Sequence, residues 1–255
     1  MSRFIKSFYL FTIYAFLYLP IVVLIVYSFN NADFSAVWHG ATWKWYKALF
    51  SDEELLVITA HSLLLAIMSA TTAVTIGALG AVALFRYKFF GKKTFHGLIF
   101  ILIIVPDLVL GISLLMLYSA FKISLGFWSL LLAHIAFCLP FVVVTISSRL
   151  KEVDRNIFEA ARDLGASDYL IFFRIILPLI YPALIAGWLL SFTLSMDDVI
   201  ISFFVSGPDF QILPLYLYSQ VRVGITPEIN ALCTLIFMGT LALVLTSQIF
   251  IHKKP

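Results

Sequence analysis

Charge is scarce in this sequence. Only 12% of its 255 residues are Asp, Glu, Lys or Arg, about half the share of an ordinary soluble domain. So few charges cannot solvate a globule of this size. With 62% hydrophobic residues and a mean hydropathy of +1.03, the chain reads as an integral membrane protein. Cysteine is nearly absent: Cys138 and Cys233 lie inside apolar runs and form no CxxC. That excludes a disulfide framework and a thiolate metal site, and leaves two small packing residues. His61, His96 and His134 are isolated, without metal-ligand spacing, and read as packing or interface residues. No Ser/His/Asp or HExxH arrangement points to proteolysis. Gly91-Lys92-Lys93-Thr94 is a poor match to a phosphate-binding loop, because Arg86 and Lys93 stand where that pattern needs Gly and Ser/Thr. Lys and Arg sit at the ends of apolar runs rather than in one patch, which argues against a nucleic-acid partner.

What the chain has in abundance is long apolar runs. Six of them, near residues 8–29, 57–85, 95–120, 127–148, 179–201 and 229–251, are long enough to cross a hydrocarbon core of about 30 Å as helices. The first follows Arg3 and Lys6, as a signal peptide would. It is longer than a signal core of roughly 7–15 residues and no small-x-small site follows, so it is expected to be retained as a span. Thirteen of the 17 Lys and Arg residues fall on the N-terminal side of the membrane, among them Arg86, Lys92, Lys93, Arg149, Lys151, Arg155, Arg162 and Arg174. Lys44, Lys47, Lys122 and Arg222 fall on the other. This bias predicts that both termini face the cytoplasm. Outside, residues 30–56 carry Trp38, Trp43, Trp45 and Tyr46, which suit the membrane–water boundary. In 202–228, Pro214 to Val223 is expected to form a short interfacial helix.

The cytoplasmic segment 149–178 is the longest charged stretch. Arg155, Glu159 and Arg162 stand four and three residues apart and are expected to pair along one helix face. Phe158, Ala161 and Leu164 form an apolar stripe at near-helical spacing. Gly165 is placed to end that helix in a left-handed conformation. Ser167 followed by Asp168 reads as the N-cap of a second helix, apolar through Tyr169, Phe172, Phe173 and Ile176 and ended by Pro178 before the fifth span.

Three carboxylates fall in or at the ends of spans: Asp107 in the third, Asp197 and Asp198 late in the fifth. Each costs about 2.5–3.5 kcal/mol at the bilayer centre even on a lenient scale, so such groups face protein or a watery path. Counted along straight helices, Asp107 lies roughly 18 Å and the pair about 28 Å above the cytoplasmic end. Unpaired acids there suit a cation, and Trp188, Phe192 and Tyr118 are placed to add cation–π contacts. The competing reading makes Asp197 or Asp198 a helix cap or terminator.

Glu159-Ala160-Ala161, three residues to Gly165, then nine to Ile175-Ile176-Leu177-Pro178 resembles the E-A-A-x3-G-x9-I-x-L-P docking loop of permease subunits in binding-protein-dependent ABC importers. Phe141-Val142-Val143-Val144-Thr145, Ser195-Met196-Asp197-Asp198 and Ser206-Gly207-Pro208 are similar to the polyamine-importer branch, over essentially the full chain. The resemblance implies an all-α, MetI-like bundle of a type I importer, with six transmembrane helices and one permease domain over residues 1–255. It further implies a bacterial inner-membrane location, a second similar permease, two ATPase subunits that bind ATP and Mg, and a periplasmic polyamine-binding protein. The chain itself would carry no cofactor and no enzymatic activity. Glu159, Ala160, Ala161, Gly165, Ile175, Leu177 and Pro178 would dock the ATPase, and Asp107, Asp197, Asp198 and Trp188 would line the path. Three readings stay open beside it: another cationic substrate such as ferric ion, an autonomous secondary cation transporter, and a membrane scaffold without a path.

Overall fold

A computed structural model describes residues 3–32, 37–154, 156–224 and 226–252, and most of them are helical. The chain divides into two compact units, Met1–Ile58 with Tyr216–Pro255, and Thr59–Leu215. The long helices follow the apolar runs, because in hydrocarbon a helix satisfies every backbone polar group internally. Five are long and apolar enough to cross a membrane: α1 (Arg3–Tyr27), α3 (Glu53–Arg86), α6 (Phe127–Lys151), the continuous stretch Asp168–Asp197, and α12 (Pro227–His252). The third expected span is broken. Its halves α4 (Lys92–Ile104) and α5 (Asp107–Ala120) meet at 112°, and together they would make a sixth crossing. Pro106 lacks the N–H a continuing helix needs, and Val105 before it is extended (ψ 128°), as a residue preceding proline prefers.

In the first unit, α1 and α12 pack side by side with the short α2 (Lys44–Leu49). The segment before α2 is tied back on itself: Trp45 donates its indole N–H to the Asn30 carbonyl at 2.7 Å, and Asn30 and Ala41 form an antiparallel bridge. Trp45 is thus buried, whereas Trp43 is exposed and meets Phe29 edge-on and Tyr46 at a tilt. The interfacial helix is α11 (Leu213–Val223). Its Tyr216 phenol is pushed above its ordinary pKa by burial and, less, by the carboxylates of Asp52, Glu54 and Glu228, against a hydrogen bond from Gln220.

In the second unit α6 lies at the centre. Val142 is fully buried, and a Cβ on Gly77 of α3 would come within 2.6 Å of it, one on Gly187 within 3.7 Å. Glycine at these two points lets three helices converge on one valine.

Candidate functional site

The docking segment is a helix, a tight turn and a second helix. Asp154 accepts from the Asn156 N–H at 3.0 Å and opens α7 (Asn156–Asp163). Gly165 ends it in the left-handed region (φ +81°), with Ala166 N–H bonded to Ala161 O and Gly165 N–H to Arg162 O. That bonding is a Schellman motif. Ser167 Oγ then accepts from the Leu170 N–H and caps α8 (Asp168–Ile171).

Three expectations are corrected here. Pro178 does not end the second helix: α8 passes through a π turn (Phe172–Ile176) into α9 (Leu177–Asp197) without a break. In that turn Leu177 N–H bonds Phe172 O, five residues back. The wider turn relieves the clash that the Pro178 ring would otherwise make four residues back. The helix that carries the fifth apolar run therefore begins inside the docking motif, at Asp168. Arg162 reaches across the turn to Asp168, at 3.5 Å, rather than along α7 to Glu159; Arg155 lies outside the described residues. Of the apolar stripe, Phe158 is buried and Ala161 half-buried, but Leu164 is 88% exposed.

The segment is fastened to the bundle from one side. Phe158 meets Phe85 of α3 edge-on, the largely buried Arg86 pairs with Asp168, and Arg149 of α6 donates to Leu179 O at 3.2 Å. Ile171 and Ile176 are fully buried beside Leu150 and Ile146. The other side is bare: Glu159, Ala160, Gly165 and Pro178 are exposed, and Ile175 and Leu177 are half-buried. An exposed face with Leu164 and Tyr169 on it, held on a helix that continues through the membrane, can receive a partner and pass its displacement to α9.

The carboxylates fall at two helix breaks. Asp107 is exposed in the first turn of α5, immediately after the α4–α5 bend. Asp197 is exposed at the end of α9, and Asp198 (ψ 118°) turns the chain before α10 (Ile200–Val205). α5 and α10 run side by side in the same direction. Gly111 of α5 lies against Ile201 and Phe204, while at their far ends Tyr118 OH donates to Ser129 O and Ser129 Oγ to Val205 O. Asp107 stands four residues before Gly111 and Asp197 four before Ile201, so both lie toward the same end of the pair.

Asp198 is different from its neighbour. It is 8% exposed, accepts from the backbone N–H groups of Ile201 and Ser202, and accepts Ser202 Oγ–H at 2.7 Å. Its oxygens cap α10, the short helix that follows the break. Trp188, three turns earlier on α9, stacks on Phe192 (5.4 Å) and donates to Thr71 Oγ1 of α3. Tyr118 belongs to a separate buried cluster with Leu130 and Ile201, and is not grouped with Trp188.

His134, read from sequence as a packing or interface residue, also has a polar role that reading did not include. It is fully buried on α6, with Nδ1 2.7 Å from Ser195 Oγ and Nε2 2.9 Å from Ser202 Oγ. The signal was present: Ser195, Asp198 and Ser202 recur at three- and four-residue spacing, a polar stripe in an apolar stretch.

Comparison with known proteins agrees with this architecture. The chain is 52% identical to the spermidine/putrescine transport system permease protein PotC of Escherichia coli K12, over 99% of this chain and 96% of the relative. It is 44% identical to the putrescine transport system permease protein PotI of the same organism, over 91% and 84%. A bacterial ABC transporter that imports the acidic polysaccharide alginate shares the fold, with a TM-score of 0.71 at 14% identity, covering 100% of this chain and 99% of that one. Residues 73–252 match the family described as "Binding-protein-dependent transport system inner membrane component", and the chain belongs to that family.

Proposed function

We propose that this chain is a permease subunit of an ATP-driven ABC importer for polyamines. It has six transmembrane crossings, with the α4–α5 pair as one of them, and both termini in the cytoplasm of a bacterial inner membrane. The observation that carries the reading is the docking segment, a motif-bearing helix-turn-helix whose second helix is the start of a spanning helix. Glu159, Ala160, Ala161, Gly165, Ile175, Leu177 and Pro178 dock the ATPase. A rigid shift there moves α9, and through Arg86, Phe85 and Arg149 it moves α3 and α6. ATP and Mg bind the partner ATPase; this chain supplies no cofactor and no hydrolysis. A second permease completes the path, and a periplasmic binding protein delivers the polyamine.

Support for the path comes from the two breaks. Backbone interrupted within an apolar span is tolerated only beside protein or water, and each break presents an exposed carboxylate, Asp107 and Asp197. An ammonium group leaving water gains from carboxylates in that low-dielectric setting. Asp198 shapes the wall by capping α10, and the Trp188–Phe192 stack offers an aromatic face on the way. Glu159→Lys puts a positive charge where the docking face carries an acid, and is expected to abolish ATP-dependent spermidine uptake while membrane insertion is retained. Unchanged uptake would remove the docking assignment.

A further inference from the structure

His134 is held from both sides of a break in a spanning helix. Its two ring nitrogens bond Ser195, one turn before Asp198, and Ser202, one turn after it. The hydrogen-bond directions follow from the end that cannot donate. The Asp198 carboxylate accepts Ser202 Oγ–H, so Ser202 Oγ has spent its proton and accepts from His134 Nε2–H. A neutral imidazole with its proton on Nε2 has a bare Nδ1, which accepts Ser195 Oγ–H. Ser195 Oγ in turn accepts from Ser69 Oγ of α3, at 3.1 Å, whose one proton it shares with the Ala66 carbonyl at 3.2 Å. The chain Ser69, Ser195, His134, Ser202, Asp198 is thus polarised one way, with each hydroxyl and ring nitrogen used. Every member is buried, His134 and Ser202 completely, where such chains reinforce one another and a missing link is costly.

We infer that His134 is a positioning residue of the translocation path: it clamps α9 and α10 at one angle and thereby fixes where Asp197, the exposed neighbour of Asp198, presents its carboxylate. The inference rests on the reading that Asp197 meets the substrate. A histidine is suited to this place because it spans the two serines as acceptor on one side and donor on the other, which no aliphatic side chain can do. Gln retains one acceptor and one donor on a flexible stem.

The test is a mutant cycle on the complete importer in proteoliposomes, scoring spermidine taken up per ATP hydrolysed for assembled complex only. His134→Leu is expected to lower that ratio about tenfold or more, within the roughly 10²-fold that misplacing a reacting group by an ångström can cost. His134→Gln is expected to restore part of it. In an Asp197→Asn background, His134→Leu is expected to add little, because the carboxylate it positions is already neutral. Ser202→Ala, a smaller change, repeats the comparison if the leucine variant does not assemble. An unchanged ratio in His134→Leu, or the same fold-loss with and without Asp197, would overturn the clamp. No ATP-dependent uptake by the unsubstituted complex would instead overturn the importer reading, and the inference with it.

Discussion

Gly165 allows a graded test of the docking geometry. Its φ of +81° lies in the left-handed region, and a Cβ placed on it would meet nothing within 4 Å. Substitution there costs backbone strain and no steric clash. For alanine the strain is roughly 1–2 kcal/mol, which at about 1.4 kcal/mol per tenfold lowers the population of the docking-competent turn by about 5- to 30-fold. Asparagine enters the left-handed region more readily and is expected to cost less. Proline sets φ near −65° and removes the N–H that bonds Arg162 O at 2.8 Å, so it is expected to cost about 3 kcal/mol or more. The expected order of ATPase co-purification with the tagged chain, and of uptake, is Gly, Asn, Ala, Pro. Alanine equal to glycine, or asparagine worse than alanine, would refute the claim that the left-handed turn sets the angle between α7 and α8.

Substitutions at two further positions probe the walls. Gly111→Ala places a Cβ 2.8 Å from Phe204 Cδ2 and 3.3 Å from Ile201 Cα. The ring can yield but the backbone cannot, so a loss of about 1–3 kcal/mol is expected, read as a lower melting temperature of the purified complex; unchanged melting would contradict the close α5–α10 contact. Trp188→Phe keeps the stack on Phe192 but loses the 3.0 Å hydrogen bond to Thr71, an expected cost of about 0.5–1.5 kcal/mol. Trp188→Ala loses both and should melt lower still, and equal melting of the two would show that the stack contributes nothing.

Much of this could be read from residue order alone, where local chemistry acts on its own neighbours. Gly165 and Ser167 do at the turn what their residue types do anywhere, and the apolar runs mark the helices to within a few residues, except at the fifth. Misreadings arose where tertiary context decides. Pro178 reads as a stop, but a π turn one step earlier absorbs it. Pro106 is the reverse case: it breaks a run that counts as one span by composition, and α5 leaves α4 at 112°. His134 is invisible as a motif because its partners lie 61 and 68 residues away on two other helices, brought in by the packing of α6 against α9 and α10. Asp197 and Asp198 look alike in sequence, yet the single-residue step across a helix end exposes one and buries the other.

The measurement that bears most directly on the central claim is radiolabelled spermidine uptake into proteoliposomes containing this chain, its sister permease and the ATPase. The binding protein is supplied outside and ATP inside, with and without Asp107→Asn/Asp197→Asn. The expected result is ATP-dependent uptake that the double variant loses while its complex still assembles and hydrolyses ATP. An intact, ATP-hydrolysing unsubstituted complex that takes up no spermidine would contradict the polyamine reading, and full uptake by the double variant would contradict the acidic path.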